Sequence, residues 1–134
     1  MYLNELDYER LTRLLDTNFA QALGDRREHL FRLQERMMLA DVLPPERMPR
    51  DIITMNTTLK LVDVERNEVE VYTLVYPEEA CIVEGKLSIL SPLGASLLGR
   101  RIGDMIRLRV AARDCVKRVE NISFQPERCG AFHM

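Results

Sequence analysis

The chain has 134 residues, 30% of them charged, with a formal net charge of −2 from 19 basic and 21 acidic side chains. This length is typical of one domain, or of a small domain with an appendage. A balance so close to neutral argues against direct sequence-specific nucleic-acid binding and against an anionic membrane surface, so we expect a protein partner. The 3 cysteines lack C-x-x-C spacing, which fits neither a disulfide framework nor a thiolate metal site and favours a reducing compartment.

The N-terminal residues, MYLNELDYERL, reach acidic side chains at once and lack the basic-then-apolar order of a secretion signal. No segment approaches the roughly 18 apolar residues of a membrane span. We therefore expect a cytoplasmic protein that makes no membrane contact.

The first part of the chain repeats apolar residues at three- and four-residue steps, which predicts two amphipathic helices. Asp7 is the expected N-cap of the first helix, which should begin near Tyr8. The second helix should begin at Arg26, and its apolar stripe comprises Leu30, Leu33, Met37 and Ala40. We expect the two helices to form a short antiparallel hairpin, a small coiled coil, over residues 1–43.

A proline-rich stretch predicts a linker over residues 44–50, and after it the apolar period drops to two, so a β domain should occupy residues 51–134. Asn67 could take positive φ in the turn between the first two strands, which should pair as an antiparallel hairpin. In the fifth strand the apolar phase slips between Val119 and Ile122, which indicates a β-bulge. The predicted strands are Thr58–Val64, Val69–Tyr76, Lys86–Leu90, Met105–Val110 and Lys117–Phe124.

A compact run of small and apolar residues, SILSPLGASLLGRRIGD, follows the third predicted strand. Ser91 is a favoured N-cap and Pro92 a favoured first helical residue, so a short helix should begin there and end near Gly99. Gly94, Ala95 and Ser96 leave little side-chain bulk, so this helix can lie close to the sheet or to a visiting surface. The junction itself should be a surface loop held by rigid elements, which is a common place for binding residues.

The predicted fold is therefore α+β, with a helical hairpin followed by a mostly antiparallel β half-barrel that carries one short helix. The arrangement SPLGASLLGRRIGD resembles the carboxy-terminal domain of the bacterial Gre transcript-cleavage factors. The segments MPRDIITMNTTLKL and VYTLVYP resemble the regulator of nucleoside diphosphate kinase (Rnk) family, a shorter branch of the Gre superfamily, over about residues 46–126.

The Gre resemblance implies an FKBP-like half-barrel that docks on bacterial RNA polymerase near the rim of its secondary channel. By the same resemblance, the polymerase-facing loop comprises Leu90, Ser91, Pro92, Leu93 and Gly94. The apolar stripe is thin for an isolated hairpin, so we expect part of it to pack on the second domain or on another subunit of a homo-oligomer.

Gre factors carry paired acidic residues at the tip of a long coiled coil, where they help to hold a metal ion in the polymerase active centre. The arm predicted here is shorter, and its tip offers Asp16 and Asp25 without a close acidic pair. No catalytic residue, metal or cofactor is therefore expected, and His29 is interpreted as inert. The resemblance then implies a non-enzymatic regulator that competes with Gre factors without stimulating transcript cleavage.

Two other functions stay open at this point. FKBP-like architecture also hosts peptidyl-prolyl isomerases, although a chain with no Trp and 6% aromatic residues offers little to line an apolar proline pocket. Alternatively, self-association through the hairpin stripe would make the chain a structural oligomerisation module.

Overall fold

The computed structural model describes residues 1–16, 28–110 and 113–129. Two helices of 11 residues each, α1 (Glu5–Leu15) and α2 (Glu28–Met38), precede the main sheet. A small parallel pair of strands, β1 (Tyr2–Asn4) and β2 (Asp41–Leu43), joins the start of the chain to the segment after α2. The predicted start of the second helix at Arg26 lies outside the described residues.

The main sheet has five strands in the order β5-β4-β3-β7-β6. Its neighbouring strands run antiparallel except for β4 and β5, which are parallel. The strands are β3 (Thr58–Asp63), β4 (Glu68–Val75), β5 (Lys86–Ser88), β6 (Met105–Val110) and β7 (Arg113–Phe124). One short helix, α3 (Pro92–Leu97), follows β5. The α+β prediction is confirmed, whereas its FKBP-like detail stays a prediction.

The turn and the bulge predicted for this sheet are both present. Asn67 has φ 53°, and the strands on either side of its turn pair from Thr58 with Thr73 to Asp63 with Glu68. Between β3 and β7 the register moves from Lys60 with Asn121 to Leu61 with Val119, so Glu120 has no partner on β3. This extra residue restores the inward direction of the apolar side chains on both sides of it.

The third strand is shorter than predicted, because a tight turn begins at its last residue. The backbone N–H of Ser91 donates to the Ser88 carbonyl oxygen (3.1 Å), and Ser88 Oγ accepts from the N–H of Leu90 (3.0 Å). The N–H of Ile89 still donates to the carbonyl oxygen of Val75 on β4 (2.9 Å), and the turn then directs the chain away from the sheet. The regular strand therefore ends at Ser88, and the chain turns away from the sheet before Leu90.

The prediction that Asp7 caps the first helix is wrong. Asn4 is the N-cap, with its side-chain oxygen 2.7 Å from the N–H of Asp7, because β1 carries an extended backbone up to that residue. Asp7 lies within the first turn and is buried, and its carboxylate accepts from Asn4 Nδ2 (3.1 Å) and from the N–H of Met55 (3.2 Å). A residue expected at the surface is therefore a buried link between α1 and the segment before β3.

The apolar core is one cluster that includes residues from the helices and from the sheet. Leu30, Leu33 and Met37 of α2 are buried as predicted, whereas Ala40 is partly buried beyond the helix end. Burial of each leucine contributes about 1.5 to 3 kcal/mol. The cluster also contains Leu11, Leu59, Leu61, Leu74, Leu97 and Leu98, all at 0% exposure. Among the described residues, no helix is long and apolar enough to cross a membrane.

Candidate functional site

The loop between β5 and α3, which we call the Ser-Pro corner (residues 90–94), is held by hydrogen bonds that its own sequence supplies. Ser91 Oγ accepts from the N–H of Gly94 (3.0 Å) and donates to the carbonyl oxygen of Ser88 (2.6 Å). Ser91 is therefore the N-cap of α3, as predicted, and Pro92 occupies the first helical position, where a missing N–H costs nothing. One hydroxyl thus joins the end of the strand to the start of the helix.

Gly94 is required because helix α3 begins almost in contact with the end of β5. A Cβ at this position would lie 2.0 Å from the Ser88 carbonyl oxygen, far inside van der Waals contact. The Ser-Pro corner can therefore close only over a residue without a side chain. The small residues of α3 predicted that this helix lies close to another surface. The structure shows that this surface is the backbone at the end of β5.

The five residues of the predicted partner-binding loop lie together but differ in exposure. Pro92 is exposed, and Gly94 is buried. Leu90, Ser91 and Leu93 are partly buried, and the two leucines pack against the core cluster. Pro92 is therefore the one exposed residue of these five, while Ser91 and Gly94 fix its position.

Helix α2 contacts the Ser-Pro corner through a histidine that sequence reasoning treated as inert. His29 Nε2 lies 2.7 Å from the carbonyl oxygen of Leu90, and since a carbonyl only accepts, the imidazole donates. The two residues are 61 positions apart, so no local pattern in the sequence could have indicated the contact. Helix α2 and the Ser-Pro corner are thus joined by a hydrogen bond as well as by apolar packing.

A buried polar cluster fixes α1 to the β domain. Tyr76 and Glu127 lie near Asp7, and Thr54 Oγ1 donates to Glu127 Oε1 at 2.8 Å. Burial raises the pKa of Asp7 to about 7, and the charge of Glu127 adds to the shift. Burial also raises the pKa of Glu127. These two carboxyls are far apart in sequence, so spacing did not reveal them.

The predicted hairpin tip can be described only in part. Asp16 is exposed and follows the last residue of α1, with its N–H bonded to the carbonyl oxygen of Thr12 (3.1 Å). Asp25 lies outside the described residues, as does His133. Within residues 1–16, 28–110 and 113–129, no group of three or more His, Cys, Asp or Glu side chains is arranged to hold a metal ion.

Comparisons with known proteins identify relatives that match this geometry. The family model for the carboxy-terminal domain of the transcription elongation factors GreA and GreB matches residues 48–124, which include the whole Ser-Pro corner. The regulator of nucleoside diphosphate kinase from Escherichia coli K12 is 34% identical over 131 residues, which cover 97% of this chain and 93% of that protein. The transcription elongation factor GreA from Chlorobium phaeobacteroides BS1 is 36% identical over 80 residues, or 58% of this chain and 50% of that protein.

A solved structure extends the match to the fold. The GreA/GreB transcription elongation factor from Nitrosomonas europaea has a TM-score of 0.78 and 30% identity, and the match covers 92% of this chain and 99% of that one. The chain belongs to the GreA/GreB family of transcription elongation factors. Within that family it is similar over nearly all of its residues to the Escherichia coli regulator of nucleoside diphosphate kinase, which confirms the predicted resemblance to the Rnk branch. The sheet is accordingly the curled β half-barrel of this family.

Proposed function

We propose that this chain is a non-enzymatic transcription regulator that binds bacterial RNA polymerase at the rim of its secondary channel. Family membership supports a polymerase partner, since its relatives are named as transcription elongation factors. The observation that carries the proposal is the exposed Pro92 on a loop held by Ser91, Gly94 and His29. The loop also lies inside the part of the chain that matches the family model.

A rigid loop is suited to docking because its conformation is fixed before a partner arrives. Each flexible side chain or loop segment that becomes ordered on binding costs free energy, and a preorganised loop avoids most of that cost. Both ends of the Ser-Pro corner are bonded to regular structure, through the Ser88 carbonyl and through the first turn of α3. Pro92 thus presents an apolar ring on a backbone with little freedom left to lose.

We assign to helices α1 and α2, the helical arm, the role of obstructing the secondary channel of polymerase. Helices of 11 residues are each about 16 Å long, which limits the reach of the arm. The match to the Chlorobium GreA covers 58% of this chain and 50% of that protein, so this chain is the shorter of the two. Because the sequence of the predicted tip offers Asp16 and Asp25 without a close acidic pair, we propose that the chain competes with Gre factors and does not stimulate transcript cleavage.

Co-purification with core RNA polymerase tests the binding step. The tagged chain should retain core polymerase, and a Gre factor in excess should release it, because both are proposed to occupy the same rim. Retention that a Gre factor leaves unchanged would place the chain elsewhere on polymerase, and no retention would overturn the proposal. The isomerase alternative is not favoured by the relatives found, and a tetrapeptide isomerisation assay should give no turnover.

A further inference from the structure

A groove of about 420 Å³ lies between α2, α3 and the last strand of the sheet, β6. One wall is formed by five consecutive residues of β6, Met105 to Arg109. Side chains of a strand point alternately to opposite faces, so a groove over one face would be lined by every second residue. A groove lined by all five residues therefore runs along the edge of the strand.

Strand β6 is an edge of the sheet as far as the structure describes the chain. It pairs with β7 on one side, and it stands last in the strand order. The outer edge of such a strand carries unpaired backbone N–H and carbonyl groups at alternate residues. Residues of helices α2 and α3 form the other side of the groove. The groove therefore offers both hydrogen-bond donors and acceptors in the pattern of a missing strand.

The groove is also strongly basic. Its lining includes five arginines, Arg32, Arg36, Arg100, Arg107 and Arg109, against one carboxylate, Glu28. Glu28 is already paired with Arg32 at 2.8 Å. Burial, together with the neighbouring charge of Arg100, lowers the pKa of Arg36 to about 10. Like charges held close together repel, and an anionic ligand would relieve that repulsion.

The side chains on the exposed strand are free to meet such a ligand. Arg107 and Arg109 are exposed, and neither side chain makes a hydrogen bond or ion pair within the described part of the chain. They are two residues apart on one strand, so they project from the same face. In a paired strand, carboxylates at alternate positions would lie opposite them.

We propose that this groove binds an extended acidic segment of a partner protein, which pairs with the outer edge of β6 as a sixth strand. Main-chain hydrogen bonds to Met105 through Arg109 hold the segment, and the arginines select carboxylates at its alternate residues. A phosphate would match the positive charge of the arginines but not the outer edge of β6. Phosphate oxygens accept hydrogen bonds, so they would leave the carbonyl groups of the strand without donors. This site goes beyond the proposed docking of the Ser-Pro corner, although Pro92 also lines the groove.

The test uses the full chain in solution, without polymerase, so its result is separate from that of the docking proposal. A pool of octapeptides in which Asp or Glu alternates with Val or Ile is titrated against isotope-labelled protein. We expect saturable binding, with amide resonance shifts concentrated in β6. A matched pool N-methylated at alternate residues keeps its charges but loses backbone donors, and it should bind at least about tenfold more weakly. Equal binding of the two pools would overturn strand addition.

Charge variants test the arginines. Arg107→Glu with Arg109→Glu should weaken binding at least about tenfold, and Arg107→Gln with Arg109→Gln should weaken it less. The control Arg47→Glu with Arg66→Glu makes the same change in charge at exposed residues that do not line the groove, and it should bind like the unaltered chain. Tripolyphosphate or a single-stranded RNA that binds more tightly than the peptide pool, with shifts in the same groove, would show a phosphate site and overturn the proposal.

Discussion

His29 on helix α2 donates a hydrogen bond from Nε2 to the carbonyl oxygen of Leu90 over 2.7 Å, which ties the helical arm to the Ser-Pro corner. Leu90 is the first residue of the loop that we propose as the polymerase contact, and its carbonyl lies between the strand and the helix that shape the loop. Helix α2 and the Ser-Pro corner are therefore directly linked. A substitution of His29 on α2 should therefore affect the Ser-Pro corner.

Replacement of His29 tests that link. His29→Ala removes the donor and should lower the free energy of unfolding by about 0.5 to 1.5 kcal/mol, as for a typical hydrogen bond. Amide hydrogen exchange should accelerate at Leu90, Ser91, Leu93 and Gly94 more than in β3. As a control, Arg32→Ala removes an exposed side chain one turn further along α2 and should leave exchange in the loop unchanged. Equal acceleration throughout the sheet would mean that the bond has no specific role in the loop.

Pro92 should be the residue most sensitive to substitution in polymerase binding. Pro92→Asp exchanges an exposed apolar ring for a charge, yet Asp suits the first turn of a helix, so the fold should survive. We expect polymerase affinity to fall at least about tenfold, measured by competition in solution. Val83→Asp makes the same kind of change at a residue that is 97% exposed on another loop, and it should bind normally. Undiminished affinity in Pro92→Asp would exclude the Ser-Pro corner as the contact.

Gly94 should tolerate no side chain. Gly94→Ala places a methyl group against the Ser88 carbonyl oxygen, and since both sides of the contact are backbone, we expect a loss of about 1 to 3 kcal/mol in urea unfolding. Ser96→Ala, a small-residue change in the same short helix, should be nearly neutral because alanine has the higher helix propensity. If the two variants were equally stable, the close approach of α3 to β5 would not matter for the fold.

Stability should depend on pH through Asp7. Burial raises the pKa of this carboxyl from 3.8 to about 7, so the folded chain keeps a proton that the unfolded chain loses. The contribution of Asp7 to the free energy of unfolding should therefore be largest below about pH 4, fall as the pH rises to about 7, and change little above that value.

Asp7→Asn separates this residue from other titrating groups. The amide keeps the shape and cannot ionise, so the fall in the free energy of unfolding between about pH 4 and 7 should become shallower, with the variant as stable as the unaltered chain or more so at pH 8. The matched change Asp114→Asn, at an exposed residue of β7, should leave the slope as it was. An unchanged slope in Asp7→Asn would show that Asp7 is ionised in the folded chain at these pH values.

The sequence predicted the features that depend on neighbouring residues. Ser91 and Pro92 indicated where α3 begins, Asn67 indicated the turn, and the slipped phase beyond Val119 indicated the bulge, because each depends on local backbone preferences. The resemblance to the Gre superfamily, also carried by short motifs, was confirmed by the family match.

Two of the features that sequence reasoning missed are contacts between distant residues in which one partner is a backbone atom. Asp7 accepts from the N–H of Met55, 48 positions away, and any residue except proline could supply that N–H. The bond from His29 to Leu90 has the same character. The basic groove depends on the position of β6 at the edge of the sheet, which follows from the strand order and not from its own residues.

The central claim is that this chain occupies the polymerase rim without performing the reaction of a Gre factor. The most direct measurement is transcript cleavage in stalled elongation complexes, with a Gre factor present and increasing amounts of this chain. We predict that the chain alone leaves the transcript intact and that it suppresses the cleavage caused by the Gre factor, with Pro92→Asp suppressing much less. Cleavage stimulated by the chain alone, or suppression that Pro92→Asp retains in full, would contradict the account.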